Sequence, residues 1–139
     1  MRSGLLRDSL SDHALVAGGA HVDSWPTLLV IDGDVEMLRT LVCYFEKRGF
    51  HVAATTTLAE AKTYFHRRRA WTLVLADYHL ADGNGWELCT WVREQARETP
   101  VLLMSGSPSA AMLCEGFDYL TKPFPLDALE VRVRALVRR

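Results

Sequence analysis

The stretch TLLVIDGDVEML, Thr27–Leu38, determines how we expect the chain to fold. It begins with an uninterrupted apolar run, Thr27–Ile31, which is typical of a strand buried on both faces of a sheet. The run ends at Asp32, and Asp34 follows after Gly33 in a position to cap a helix. A buried strand that leads into carboxylates and then a helix predicts an α/β sheet with a polar site at one edge.

The same alternation of apolar strands and amphipathic helices continues along the chain. Five strands separated by helices predict right-handed βαβ units, and therefore a three-layer sandwich around a five-stranded parallel sheet. Residues 1–25 show no sustained period, and we expect them to form a poorly ordered extension before a domain at 26–139. The later strands are predicted at Phe50–Ala54, Trp71–Ala76, Val101–Met104 and Phe117–Thr121. Helices are predicted after Asp34, after caps offered by Thr55–Thr57 and through Arg69, at Trp86–Arg97, briefly after Pro108 and at Pro125–Val137.

Composition excludes several classes of protein. A net charge of −1 gives no overall attraction to nucleic acid or to an anionic membrane, and no apolar run is long enough to span a bilayer. The three cysteines (Cys43, Cys89 and Cys114) are widely spaced and form no CxxC pair, which fits a reducing compartment. We therefore expect a cytoplasmic protein that binds neither nucleic acid nor membrane, with no output domain after the last helix.

Four polar residues follow predicted strands: Asp32 the first, Asp77 the third, Ser105 the fourth and Lys122 the fifth. The carboxyl ends of parallel strands meet at one edge, so these side chains are expected to converge. Two carboxylates can hold Mg²⁺, while a lysine and a hydroxyl can bind phosphoryl oxygens. The pattern predicts phosphoryl-transfer chemistry.

The motifs VIDGD, LVLADYHLADGNGWEL, VLLMSG and DYLTKPF together resemble the receiver domain of two-component response regulators, the CheY-like family. The resemblance covers residues 26–139. It implies the flavodoxin-like strand order 2-1-3-4-5, which is the order known for CheY itself. It also implies a phosphorelay protein rather than an enzyme, with a histidine kinase or histidine phosphotransfer protein as donor and an unknown protein downstream.

By this resemblance, Asp77 is the phosphoacceptor. Asp32, Asp77 and the backbone carbonyl of His79 would hold Mg²⁺, with Asp34 as a further candidate ligand. The metal set is incomplete, however, because the family usually has two adjacent acids after the first strand and here the second position is Gly33. We therefore expect weaker metal binding than in a receiver with both acids.

The resemblance also implies a switch at the other side of the site. Ser105 and Lys122 would contact the phosphoryl group, Tyr119 would be the switching aromatic residue, and Pro123 would follow a cis peptide bond. The stretch from Ser105 to Lys122 is shorter than usual, which predicts a shortened helix before the fifth strand. Shortened versions resemble receivers of hybrid histidine kinases, and they leave the oligomeric state open.

Two other interpretations remain open. One is a degenerate receiver that acts as a binding module without phosphorylation, because Gly33 removes an acid. The other is a haloacid-dehalogenase-like phosphatase with Asp32 as nucleophile, since Asp32-Gly33-Asp34 matches the DxD part of that motif. Against the phosphatase, Glu36 replaces its usual Thr or Val, and no later strand supplies its final acidic pair.

Overall fold

The structure is a computed structural model that describes residues 25–68, 70–107 and 116–138. The strands are β1 (Thr27–Ile31), β2 (His51–Thr55), β3 (Leu73–Asp77), β4 (His79–Leu80), β5 (Gly83–Asn84), β6 (Val101–Ser105) and β7 (Asp118–Thr121). The helices are α1 (Val35–Glu46), α2 (Leu58–Arg67), α3 (Gly85–Gln95) and α4 (Leu126–Val137). Within the described residues, helices follow β1, β2, the β3–β5 segment and β7, as the apolar pattern predicts.

Five strands form one parallel sheet in the order β2-β1-β3-β6-β7. Because β6 and β7 are the fourth and fifth strands predicted from the sequence, this order is the expected 2-1-3-4-5. The second sheet is a two-stranded antiparallel hairpin formed by β4 and β5. The predicted fold class is confirmed.

The apolar side chains of β1 alternate between two cores, which is why its sequence is hydrophobic throughout. Leu29 and Ile31 face the core under α2 and α3, whereas Leu28 and Val30 face the core under α1 and α4. All of them are fully buried. The three layers therefore follow from a strand that is covered on both faces.

Several boundaries differ from the sequence prediction. β3 begins at Leu73 rather than Trp71, because the buried Trp71 packs beside α2 and donates its indole N–H to the carbonyl of Phe65, at 3.2 Å. β3 also extends one residue further and includes Asp77, which pairs with Met104. The acceptor candidate is therefore held by strand geometry rather than by a loop.

Other boundaries shift by one or two residues, and the segment after Asp77 contains the β4–β5 hairpin where an irregular loop is predicted. The predicted extension at 1–25 and the helix after Pro108 with its shortening fall wholly or mostly outside the described residues. The predicted end of α2 at Arg69 is wrong, because the backbone of Arg68 is extended and the helix ends at Arg67. None of the helices in the described ranges combines the length and hydrophobicity that crossing a bilayer requires.

Candidate functional site

The carboxyl edge of the sheet brings the predicted polar residues together. The ammonium of Lys122 lies 2.8 Å from Oδ2 of Asp32 and 3.5 Å from Oδ2 of Asp77. Ser105 ends β6, and its carbonyl accepts a hydrogen bond from the backbone N–H of Lys122 at 2.9 Å. Three elements of the sheet thus position two acids and one base within direct contact.

Asp32 is a buried and fully engaged carboxylate. It is 1% exposed. Its Oδ1 accepts the backbone N–H of Asp34 at 2.9 Å and its Oδ2 accepts the ammonium of Lys122, while its own N–H donates to the carbonyl of Thr55 at 3.2 Å. These bonds hold Asp32 as a fixed negative charge at the base of the site.

Asp77 is more open, with 14% of its side chain exposed. Burial raises the pKa of Asp77 above its usual value, and the negative charge of Asp32 adds to that effect. Lys122 and the backbone N–H of His79, 3.4 Å from Oδ1, act in the opposite direction but do not outweigh them. A desolvated carboxylate beside another acid gains from any group that neutralises its charge.

Lys122 supplies part of that neutralisation. Burial tends to lower its pKa, but the hydrogen bond and charge of Asp32, together with Asp77, raise it above the ordinary lysine value. Lys122 is therefore a permanent cation at neutral pH. The peptide bond to Pro123 is cis, as predicted.

The backbone of the acceptor strand is approached closely by the start of α3. A Cβ atom at Gly85 would lie 2.7 Å from the carbonyl oxygen of Asp77 and 2.6 Å from Leu103. The N–H of Gly85 donates to the carbonyl of Tyr78 at 2.7 Å. Only glycine fits this contact, so the turn that returns the chain to α3 depends on Gly85.

The predicted switch residues form a hydrogen-bonded group next to the acids. The hydroxyl of Tyr119 donates to the carbonyl of Ser107 at 2.9 Å and lies 3.4 Å from the carbonyl of Ser105. Oγ of the buried Ser105 accepts the backbone N–H of Ser107 at 3.0 Å. Tyr119 and Ser105 are therefore connected through the same short segment of backbone.

Gly33 and Asp34 are both exposed and do not complete the acidic cluster. Oδ1 of Asp34 accepts the N–H groups of Glu36 and Met37, at 3.0 and 3.3 Å, and so caps α1 as predicted. Apart from its two chain neighbours, a Cβ atom at Gly33 would meet nothing within 4 Å, and the φ of Gly33 lies outside the left-handed region that favours glycine. The backbone would therefore accept a side chain at this position.

Among the described residues, no group of three or more His, Cys, Asp or Glu side chains is arranged to hold a metal ion. The carboxylates of Asp32 and Asp77 lie at this edge, and the family resemblance adds the backbone carbonyl of His79 as a third oxygen donor. This set fits Mg²⁺, which usually takes one or two carboxylates and keeps several waters. It fits less well than a set with a third acid.

Asp82 has a structural role that the sequence does not predict. Its carboxylate accepts the first two N–H groups of α2, from Leu58 at 2.8 Å and from Ala59 at 3.0 Å. Although its partial burial opposes the shift, these bonds lower the pKa of Asp82. The ADG sequence around Asp82 indicates only a turn, so nothing in it points to a partner in α2.

Comparisons with known proteins agree with this geometry. The family described as "Response regulator receiver domain" matches residues 28–134. Over 120 residues the chain is 31% identical to the transcriptional regulatory protein GltR of Pseudomonas aeruginosa, covering 81% of this chain and 49% of the relative. It is also 31% identical over 117 residues to the cell cycle transcriptional regulator CtrA of Caulobacter vibrioides, covering 81% and 50%. The chain thus spans about half the length of these curated relatives.

Solved structures give the same result. A two-component response regulator from Clostridium difficile superimposes with a TM-score of 0.74 at 28% identity, covering 82% of this chain and 97% of the other. The receiver domain of the hybrid histidine kinase CckA, at 20% identity and a TM-score of 0.69 over 80% and 98% of the two chains, shares the fold. The chain therefore belongs to the response regulator receiver domain family.

Proposed function

We propose that the chain, in the cytoplasm, accepts a phosphoryl group on Asp77 from a histidine kinase or histidine phosphotransfer protein and signals through contacts with another protein. The observation that carries this proposal is the contrast in access at the site. Asp77 is partly exposed beside Lys122, whereas Asp32 is buried and both of its oxygens are bonded. Asp77 is the carboxylate that a phosphodonor can reach.

In the proposed step, a carboxylate oxygen of Asp77 attacks phosphorus and forms a P–O bond. The P–N bond of phosphohistidine breaks, and the leaving imidazole takes up a proton from solvent. Mg²⁺, when bound by Asp32, Asp77 and the carbonyl of His79, would neutralise the charge of the transferring group. Lys122 keeps its ammonium beside Asp77 and adds to that neutralisation.

The switch follows from the hydrogen bonds of Ser105 and Tyr119. Because Oγ of Ser105 already accepts from Ser107, its O–H is oriented away from that bond and can donate to a phosphoryl oxygen. Such a bond would shift residues 105–107 and change the contact between Ser107 and the Tyr119 hydroxyl. Phosphorylation would then favour a different surface beside β6 and β7.

The degenerate-receiver alternative is supported by one specific observation, the open space and missing acid at Gly33. In that case the domain would bind its partner without covalent modification. The phosphatase alternative loses its support, because the chain belongs to the receiver family and the proposed nucleophile, Asp32, is 1% exposed.

Intact mass spectrometry after incubation with acetyl phosphate and Mg²⁺ distinguishes these functions. We expect the wild type to gain one phosphoryl group that is stable in acid and lost in base, and Asp77→Asn to gain none. A second small donor, phosphoramidate, controls for the choice of reagent. An unlabelled wild type with both donors would support the degenerate receiver, and labelling of Asp77→Asn equal to that of the wild type would reject Asp77 as acceptor.

A further inference from the structure

The segment between Asp77 and α3 is anchored to a helix that has no part in the site described above. The two oxygens of Asp82 accept the N–H groups of Leu58 and Ala59, which are 24 and 23 residues away in sequence. The next N–H, that of Glu60, donates to Oγ1 of Thr57 at 3.1 Å. The start of α2 is therefore satisfied partly by its own cap and partly by the acceptor segment.

The first turn of α2 is also linked to Asp32, through Thr55. The hydroxyl of Thr55, at the end of β2, donates to the carboxylate of Glu60. The carbonyl of Thr55 accepts the backbone N–H of Asp32 at 3.2 Å. Residues 58–60, in the first turn of α2, thus contact Asp82 in the segment that follows Asp77 and Thr55, whose carbonyl accepts the N–H of Asp32.

The segment held in this way contains His79. Its backbone N–H points to Asp77, and it pairs with Asn84 across the β4–β5 hairpin. It lies between two fixed points, the strand residue Asp77 and the anchor Asp82. Displacement of the anchor would therefore move the backbone of His79 relative to the acceptor carboxylate.

We propose that Asp82 is a positioning residue for the phosphoacceptor site, acting by tying the His79 backbone to the first turn of α2. This inference rests on the proposed function, in which the His79 carbonyl is one of three protein ligands. Because position 33 carries no acid, a larger share of metal binding depends on that carbonyl than in a site with a third carboxylate. Supporting partners of this kind commonly change metal affinity strongly when they are removed.

The test compares Asp82→Ala with Thr57→Ala, a matched control that also removes a side-chain acceptor from the start of α2 but leaves the acceptor segment untouched. We expect Asp82→Ala to weaken Mg²⁺ binding about tenfold, measured by calorimetry, and to slow labelling by acetyl phosphate at low Mg²⁺. Thr57→Ala should change the Mg²⁺ affinity by less than about twofold, because the Thr57 side chain does not hold the acceptor segment. Such a change is well below the loss of about tenfold or more expected when a supporting partner is removed. In metal-free protein, amide hydrogen exchange at His79 should be faster in Asp82→Ala than in Thr57→Ala.

Asp82→Asn tests the same idea in a variant that retains one oxygen acceptor, and it should recover part of the Mg²⁺ affinity. Equal affinities and equal His79 exchange in Asp82→Ala and Thr57→Ala would overturn the proposal, as would Asp82→Asn binding no more tightly than Asp82→Ala. Failure of the proposed function has a different signature. A wild type that binds Mg²⁺ but gains no phosphoryl group would reject phosphorylation, while the affinity and exchange measurements still decide the role of Asp82.

Discussion

The ends of β1 and β3 are neighbours in the sheet, but they hold their acids in different ways. At β1, Asp32 is buried, bonded through both oxygens and followed by an exposed glycine. At β3, Asp77 remains partly exposed, and the segment after it is fixed at a distance by Asp82. In the proposed function, the β1 end provides a fixed carboxylate and the β3 end provides the carboxylate that reacts.

This difference separates two properties that the family resemblance combines. In the proposed function, access to a phosphodonor depends on the end of β3, where Asp77 is partly exposed. Metal affinity would depend on both ends, and the β1 end would contribute less because Gly33 has no side chain and Asp34 caps α1. The domain can therefore be a sound acceptor and still be a weak metal site.

Neutralising the buried acid at the end of β1 should give the largest effect on phosphorylation. We expect Asp32→Asn to slow labelling by acetyl phosphate by roughly tenfold to a hundredfold, because one metal ligand and the partner of Lys122 are lost. The phosphoryl group that is still gained should remain on Asp77, as peptide mapping after borohydride reduction would show. Faster labelling than in the wild type, or labelling at another residue, would break the division between fixed charge and acceptor.

Restoring the missing acid should give the next largest effect. Gly33→Asp adds a carboxylate directly after Asp32, at a position where a Cβ has open space, so we expect Mg²⁺ to bind about tenfold more tightly by calorimetry. Gly33→Asn has nearly the same shape without the charge and should bind much as the wild type does. The metal-free Gly33→Asp protein should lose some stability through like-charge repulsion.

Gly33→Asp that folds but binds Mg²⁺ no more tightly than Gly33→Asn would contradict this account of the β1 end. The metal would then have to be held without a contribution from position 33. Strain cannot explain such a failure, because the backbone of Gly33 is not in the left-handed region.

The sequence predicts the parts of this site that depend on local pattern. Asp32 and Asp77 follow apolar runs, Asp34 precedes the first helical stripe, and parallel strands bring their ends to one edge. The structure agrees on all three points. Hydrophobic periodicity predicts which strands are buried and which face of a helix packs inward, and this information is enough to predict these three features.

The features that the sequence does not predict depend on contacts between residues that are far apart in the chain. The ammonium of Lys122 lies closer to Asp32 than to Asp77, although either acid is an equally good partner on the basis of sequence. Asp82 bonds to N–H groups on another helix, and a turn residue carries no mark of such a partner. Trp71 is apolar enough for a strand, yet it packs outside β3.

The raised pKa of Asp77 predicts a smaller effect, on the free energy of unfolding rather than on phosphorylation or metal binding. A carboxylate whose pKa is raised on folding destabilises the folded protein while it is ionised. Metal-free Asp77→Asn should therefore be more stable than the wild type at pH 7, by on the order of 1 kcal/mol in urea unfolding. As the pH falls through the folded-state pKa of Asp77, the wild type takes up a proton and the advantage should disappear.

Asp77→Asn that is less stable than the wild type at pH 7 would mean that Lys122 and the His79 N–H outweigh burial and the charge of Asp32. The control is Glu94→Gln, an exposed residue of α3, which tests for a general effect of removing one negative charge. A pH-independent difference between wild type and Asp77→Asn would also contradict the assignment.

The smallest effect is expected at Asp34, which decides whether the β1 end has a second acid after all. Its carboxylate caps α1, and serine is a cap of nearly equal quality, so Asp34→Ser should lower the free energy of unfolding by only a few tenths of a kcal/mol. Asp34→Ala removes the cap and should cost about 1 kcal/mol. Neither substitution removes a metal ligand in our account, so the Mg²⁺ affinity of both variants should stay within about twofold of the wild type. Loss of a ligand's supporting partner would instead lower the affinity about tenfold or more. If Asp34→Ser keeps its stability but binds Mg²⁺ several-fold more weakly, Asp34 contributes to the metal site as well as capping α1. The β1 end would then supply a second acid to the metal site, and the two strand ends would differ less than their geometry indicates.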